Sequence, residues 1–200
     1  MTVRPYHSPQ RSKAAEETRR RLIGVAGALL AEGIVSMEAV ARAAKVTRLT
    51  IYKQFGSRRA LFEAVFDERA QQGGLKRIPE IMMIEEPRLA LEKLIELFCA
   101  FWSSDPAIVR IHDACAADAE LRQAMEERAE RRRKVLGVLL GRLGQARQGD
   151  IDLLFALTTL PVYQSLSAGR TAEETCDLIK AASFAIISSG ERHNSDIKRD

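Results

Sequence analysis

Hydrophobic residues recur every three or four positions along most of the chain, which is the spacing of one buried face of an α-helix. Two stripes show this best: Leu91, Leu94, Ile95, Phe98, Phe101 and Trp102, then Leu121, Met125, Arg132, Leu136, Leu139 and Leu143. No segment alternates polar and apolar residues as a strand would. The pattern predicts an all-α protein of about nine helices, with three in a small N-terminal domain and the rest in a larger C-terminal bundle.

Polar caps and glycines divide the first third of the chain into short helices. Helix one covers about residues 14–32, and Ser36 and Thr47 stand where N-caps of two further short helices are needed. Gly56 ends the second of these, and Ser57 opens a longer helix. Two helices of about two turns joined by a short turn have the spacing of a helix-turn-helix unit.

The last two predicted helices, about residues 150–168 and 171–189, are apolar on more than one side. Pro161 is expected to bend the first of them, and the capping box Thr171 and Glu174 opens the second. Helices that are apolar over a wide arc need a second surface to bury. We therefore predict a homodimer formed through these two helices.

Charge separates the two ends of the chain. The formal net charge of the 200 residues is +4, but residues 1–66 carry +7 and residues 67–200 carry −3. A basic N-terminal part beside a mildly acidic larger part is typical of a protein that contacts nucleic acid with one domain. We predict a flexible basic arm over residues 1–13, a helix-turn-helix domain over 14–66, and a larger domain over 67–200.

Several other classes of protein are disfavoured. Cys99, Cys115 and Cys176 form no paired motif, and no apolar run is long enough to cross a bilayer, so a cytoplasmic protein without membrane contact is expected. No nucleotide-binding or hydrolase motif is present, so no enzyme and no cofactor are predicted. His112 and Cys115 share a helix face, yet no second cluster completes a metal site, and none is predicted.

The second short helix of the pair carries polar side chains suited to a DNA groove. Thr47, Arg48 and Thr50 are expected on its outer face, while Leu49, Ile51 and Phe55 are expected to anchor it. The other candidates for DNA contact are Tyr52 and Lys53 on this helix, Ser57, Arg58 and Arg59 at the next helix start, and Ser36 and Lys45 before it. A generic helical hairpin is the alternative interpretation.

The continuous segment from Ser36 to Phe66 resembles the N-terminal domain of TetR-family transcription regulators. The resemblance implies that Thr47, Arg48, Thr50, Tyr52 and Lys53 face DNA and that the tyrosine meets a phosphate. Lys45 replaces the glycine that is usual in the turn. Two interpretations follow for this lysine: a left-handed backbone that costs about 1 kcal/mol, or a side chain that reaches a phosphate.

The resemblance also implies a repressor that leaves a palindromic operator when a small effector binds the C-terminal domain. The candidate pocket residues are large or polarizable: Phe98, Trp102, His112, Cys115, Met125, Phe155 and Tyr163. Core packing is the alternative for the aromatic residues. The charged run 126–134 is interpreted as a solvated helix face, and an apolar or weakly polar effector is expected. A helical small-molecule carrier or an enzyme without specific DNA binding is the alternative function.

Overall fold

The protein folds into α-helices joined by short turns, which confirms the all-α prediction. The structure, a computed structural model, describes the backbone of residues 9–144 and 147–197 and the side chains of residues 13–144 and 147–188. Its helices are α1 (Pro9–Ala31), α2 (Met37–Ala43), α3 (Arg48–Phe55), α4 (Arg58–Gln72), α5 (Ile78–Met82), α6 (Pro87–Ser103), α7 (Ala107–Ala117), α8 (Ala119–Arg142), α9 (Gln148–Leu157), α10 (Leu160–Ser167) and α11 (Ala172–Ile197). None of the helices in these ranges is long and apolar enough to span a bilayer.

The described residues group into two compact units. The N-terminal unit contains residues 9–69 and Ala107–Ala124, and the C-terminal unit contains Ala70–Pro106 and residues 125–197. The prediction assigned all residues after 66 to the second domain. In the structure the chain returns to the N-terminal unit at Ala107–Ala124, where α7 packs against α1. This contact joins residues far apart in the chain, so local patterns carry no sign of it.

Hydroxyl caps set the starts of the short helices in the N-terminal unit. The Ser36 hydroxyl accepts a hydrogen bond from the Ala39 amide at 3.3 Å, and the Thr47 hydroxyl accepts one from the Thr50 amide at 3.2 Å. The Ser57 hydroxyl accepts from the Ala60 amide at 3.0 Å at the start of α4. All three predicted N-caps are confirmed, and such caps each stabilise a helix by about 1 kcal/mol.

The core of the N-terminal unit is built around α1. Its fully buried large side chains are Leu22, Leu30, Ile51, Leu61, Phe62 and Leu121, and burial of each contributes about 1.5–3 kcal/mol. The Arg19 guanidinium donates to the Gln54 carbonyl at 3.0 Å and lies 4.3 Å from the centroid of the Phe55 ring. Arg110 donates to the Ala31 carbonyl at 3.1 Å. Helix α1 therefore positions both α3 and α7.

The C-terminal unit packs α11 against α6, α9 and α10. Its fully buried residues include Leu91, Leu94 and Ile95 of α6, Leu136, Leu139 and Leu140 of α8, Leu154 of α9 and Ile187 of α11. The Arg142 guanidinium donates to the carbonyl oxygens of Met82 at 3.0 Å and Glu85 at 2.9 Å, and also to that of Ile84. This clamp fixes the connector before α6.

Three helix boundaries differ from those predicted. Helix α1 begins at Pro9, where proline suits a first turn, so the predicted arm is helical over 9–13, and residues 1–8 lie outside the described part. Pro161 separates α9 from α10 instead of bending one helix, because its missing amide suits the first turn of α10. The Thr171 and Glu174 capping box is confirmed, but α11 continues through Gly190 to Ile197.

Candidate functional site

Helix α3 presents a polar and basic face on the surface of the N-terminal unit. Ile51 is fully buried and Phe55 is 9% exposed, so these two side chains anchor the helix in the core. On the outer side, Lys53 is exposed and Tyr52 is 44% exposed. Leu49 was expected to be an anchor, and this expectation is wrong: it is 63% exposed and lies one turn from Lys53 on the outer face.

The start of α3 is held by contacts with α2 and with its own first turn. The hydroxyl oxygens of Thr47 and Thr50 lie 2.9 Å apart. Arg48 forms an exposed ion pair with Glu38 of α2. The pKa of Glu38 is lowered by a hydrogen bond from its own backbone, by one from Ser36 and by the contact with Arg48. Exposed ion pairs contribute little free energy, so the pair between Arg48 and Glu38 costs little to break.

The turn between α2 and α3 contains a left-handed residue other than glycine. Lys45 has a φ of 54°, and its side chain is exposed. The backbone conformation confirms the first interpretation of this residue, that lysine occupies a position where glycine is favoured. The Val46 amide donates to the Ala41 carbonyl at 2.9 Å and closes the turn.

Replacing Lys45 by glycine is expected to stabilise the protein by about 1 kcal/mol, because glycine adopts the left-handed conformation without steric cost. Lys45→Ala is the matched control, since it removes the charge but keeps the backbone strain. Chemical denaturation measures the difference. Equal free energies of unfolding for Lys45→Gly and Lys45→Ala would contradict the strain. If Lys45 also meets a phosphate, both variants will lose DNA affinity equally.

Arg58 and Arg59, at the start of α4, have partners within the protein. Arg59 forms an i,i+4 ion pair with Glu63 at 2.9 Å. The Arg58 guanidinium donates to the two oxygens of Asp118 at 2.5 and 3.4 Å, forms an ion pair with Glu120 and donates to the Val35 carbonyl at 3.3 Å. The Ser57 and Ser36 hydroxyls serve as helix caps. Contact of these four residues with DNA stays a prediction.

The Arg58 cluster joins α4 to the start of α8 inside the N-terminal unit. Hydrogen bonding by Arg58 lowers the pKa of the Asp118 carboxyl, and Asp118 in turn raises the pKa of Arg58. Asp118 also caps α8 by accepting a hydrogen bond from the Leu121 amide at 3.1 Å. A guanidinium held by two carboxylates and a carbonyl fixes the beginning of α4 beside the turn that follows α3.

Asp118→Asn is expected to reduce the free energy of unfolding by about 1–2 kcal/mol at neutral pH, because Arg58 then loses the more buried of its two carboxylate partners. The pKa of Asp118 is lowered in the folded state, so its contribution is complete above the ordinary value of 3.8 and is lost as the pH falls through the lowered pKa. Unfolding measured from pH 7 to pH 2 should show the two proteins converging. A constant difference would contradict the ion pair.

Glu120→Gln is the matched control for the Arg58 cluster, because Glu120 is the more exposed of the two carboxylates and should cost less. Arg58→Met separates the two roles of Arg58. A loss of stability with an unchanged salt dependence of DNA binding supports the structural role, whereas a reduced salt dependence supports contact with a phosphate.

The segment that carries this surface is similar to a known family. Residues 33–65 match the family model for bacterial regulatory proteins of the tetR family. The matched segment contains all ten residues predicted to contact DNA, including Lys45 and the outer face of α3. The match therefore shows that residues 33–65 of the N-terminal unit, which contain α2, α3 and part of α4, are similar to the N-terminal domain of TetR-family transcriptional regulators. The resemblance noted in the sequence is therefore confirmed.

Solved structures share the fold of this chain. A Mesorhizobium loti protein assigned as a TetR-family transcriptional regulator has 20% sequence identity and a TM-score of 0.63, over 88% of this chain and 97% of that one. A Clostridium perfringens protein assigned as a fatty acid metabolism regulator has 17% identity and a TM-score of 0.58, over 80% of this chain and 94% of that one. No curated protein sequence matches the chain. At such identities the structural likeness concerns the fold.

The residues predicted for an effector pocket of the regulator fall in both units. His112 and Cys115 lie on α7, in the N-terminal unit, whereas Met125 lies in the part of α8 that belongs to the C-terminal unit. Tyr163 and Phe98 are both buried in the core of the C-terminal unit. Among the described residues no group of three or more histidine, cysteine or acidic side chains could hold a metal ion.

Three of the predicted pocket residues are brought together by the structure. Phe98 and Trp102 of α6 lie with ring centroids 6.5 Å apart, and Phe155 of α9 joins them around a common neighbour, Arg132. The Trp102 indole donates to the Thr158 carbonyl at 3.0 Å, which fixes its ring. We call Phe98, Trp102 and Phe155 the aromatic cage.

Arg132 is the functional candidate that the sequence analysis missed. Its place in the stripe with Met125 and Leu136 indicates an inward direction, but the charged run around it led to the interpretation of a solvated face. The structure corrects this for Arg132, whose Nε atom is buried. Its neighbour Arg131 is exposed, as expected.

Proposed function

We propose that this TetR-family protein is a repressor that binds a near-palindromic operator as a homodimer and is released by a small effector. The observation that carries the proposal is the outer face of α3. Its anchors, Ile51 and Phe55, are buried, its start is capped by Thr47, and its exposed side chains are polar, basic and aromatic. A rigid helix with such a face suits the major groove of DNA.

The proposed contacts divide into base readers and phosphate ligands. Arg48 and Thr50 at the N-terminal end of α3 are placed to meet base edges, and arginine pairs best with guanine. Exposed Leu49 adds an apolar contact that suits a thymine methyl group. Tyr52 and Lys53 meet the phosphate backbone, where a hydroxyl and an ammonium group set position more than sequence.

Exposed apolar side chains on α9 and α11 support the proposed dimer. Leu153 of α9 is 53% exposed and Leu178 of α11 is 39% exposed. An open groove of about 310 Å³ lies beside the first of these leucines. It is lined by Arg147, which precedes α9, by Asp150 and Leu153 of α9, and by Ala185 and Ile186 of α11. Leucines left in solvent beside a groove favour burial against a second copy of the chain.

Release by an effector requires two states with different affinities for DNA. An effector that prefers the state incompatible with the operator by about 1–3 kcal/mol reduces operator affinity about 5–150-fold. We propose that the C-terminal unit binds this effector and that helix α4, which contains the boundary between the units, transmits the change. The protein then acts by binding and not by catalysis.

In vitro transcription tests repression directly. A template in which an operator, selected from random duplexes, overlaps a promoter should give fewer transcripts as the protein is added. A template with a scrambled operator is the control. An increase in transcripts would contradict the proposed repressor and favour an activator, and equal repression of both templates would contradict sequence-specific control.

A further inference from the structure

The side chain of Arg132 carries a positive charge into the aromatic cage of the C-terminal unit. Its guanidinium carbon lies 4.7 Å from the ring centroid of Phe155, 5.3 Å from that of Phe98 and 5.9 Å from that of Trp102. Arginine is held by aromatic faces in this way because the ring quadrupole attracts a cation. Two helices supply the rings, and a third supplies the cation.

No anionic group of the described chain balances this charge. The Nε atom of Arg132 is buried without a hydrogen-bond partner, and no ion pair joins Arg132 to a carboxylate in the part of the chain that the structure describes. Burial, followed by repulsion from Arg133, lowers the pKa of Arg132 to about 10. Aromatic faces offset part of the lost hydration, but they accept no in-plane hydrogen bond from Nε.

The neighbouring arginine shows the contrast. Arg133 lies 4.0 Å from the Phe155 ring centroid, but it forms ion pairs with Glu130 at 3.3 Å and with Asp152. One guanidinium at the cage is therefore neutralised by the protein, and the other is not. The unbalanced charge is a single one, which matches a monoanion better than a dianionic phosphate.

The cage is both preformed and reachable. The Trp102 ring is fixed by its hydrogen bond to the Thr158 carbonyl, and Phe98 is buried. Trp102, Arg132 and Phe155 are each only half-buried, so solvent meets part of each of these side chains. A carboxylate that enters there gains charged hydrogen-bond donors, and the apolar part of the same molecule gains aromatic surface.

We propose that the C-terminal unit binds an organic monocarboxylate, whose carboxylate group pairs with Arg132 and whose apolar part packs on Phe98, Trp102 and Phe155. The inference rests on the proposed function, in which this unit binds the effector, and it names the chemical class of that effector. It replaces the expectation of an apolar or weakly polar effector.

The single tryptophan of the chain, Trp102, reports on this site through its fluorescence. The probes are decanoate and 3-phenylpropionate, each compared with its uncharged amide on the wild-type protein. We expect saturable changes in emission with a carboxylate and affinity at least about tenfold weaker for the amide. This comparison needs no variant. Equal affinities for acid and amide, or no carboxylate-dependent change with either probe, would overturn the proposal.

Arg132→Met tests the residue, and Arg131→Met is its matched control on the exposed side of the same helix. We expect Arg132→Met to lose about tenfold or more in carboxylate affinity and to bind the amide at least as well as the wild type does. Arg131→Met should bind both as the wild type does. Far-UV circular dichroism confirms folding. A folded Arg132→Met protein with unchanged preference for the acid would overturn the proposal.

Operator binding, measured with and without the carboxylate, separates this inference from the proposed function. Operator binding without any carboxylate binding overturns the inference and leaves the DNA-binding proposal intact. Carboxylate binding that leaves operator affinity unchanged supports the Arg132 site and contradicts release by this class of effector. Carboxylate binding that weakens the operator complex supports both.

Discussion

Replacing Leu153 by aspartate is expected to convert the proposed dimer into monomers and to reduce operator affinity by about a thousandfold or more. A symmetric interface contains two copies of each residue, so one substitution places two charges in the buried contact. Two linked reading heads bind as one unit, and separated heads lose the gain of effective concentration. Sedimentation velocity and titration of a duplex containing both half-sites measure the two effects.

Val138→Asp is the matched control for the dimer, because Val138 on α8 is 54% exposed and Leu153 is 53% exposed. Val138 lies outside the predicted interface, so its variant should remain dimeric and bind the duplex normally. A Leu153→Asp protein that sediments as a dimer and binds the operator with wild-type affinity would contradict the assignment of the last helices as the interface.

Lys53→Ala is expected to weaken operator binding about 10–100-fold near physiological salt and to flatten its salt dependence. Each phosphate contact contributes about 0.9 to the slope of log K against log salt, and the proposed dimer carries two copies of Lys53. The slope should therefore fall by about 2. Tyr52→Phe removes an uncharged hydroxyl, so it should weaken binding with little change of slope. Fluorescence anisotropy at several salt concentrations measures both.

Lys134→Ala removes the same charge from the exposed surface of α8 and serves as the control for net charge. It should leave the slope within error of the wild-type value. An equal fall of slope for Lys53→Ala and Lys134→Ala would show that only overall charge matters. An unchanged slope for Lys53→Ala would remove Lys53 from the DNA contact.

The N-terminal unit was largely predictable, because its signals are local. The caps at Ser36, Thr47 and Ser57 act within one helical turn, and all three hydrogen bonds are present. Leu49 was assigned wrongly, because an eight-residue helix has few positions to set its phase. Here the buried pair Ile51 and Phe55 decides which side faces out.

Contacts between distant segments could not be predicted in the same way. The carboxylate partners of Arg58, Asp118 and Glu120, lie about 60 residues away in the chain, so its own neighbourhood indicated a free cation at a helix start. The count of about nine helices fell short of the eleven in the described residues, because α5 is a single short turn and Pro161 divides one predicted helix into α9 and α10.

Arg132 shows how two sequence signals can conflict. Periodicity placed it on the inward stripe, whereas the acidic residues one turn earlier indicated a solvated run. The structure follows periodicity at Arg132, while Arg131 and Lys134 remain exposed. The rings that surround Arg132 come from α6 and α9, and no local pattern relates those helices to this position.

Selection of bound duplexes from a random pool tests the central claim, that this chain is a sequence-specific dimeric regulator. The selected duplex is then titrated at two salt concentrations with the wild-type protein and with Arg48→Ala. We expect an enriched inverted repeat whose half-sites lie about one helical turn or a multiple apart, and relaxed base preference for the variant. Salt-sensitive binding without enrichment, or no duplex binding at all, would contradict the claim.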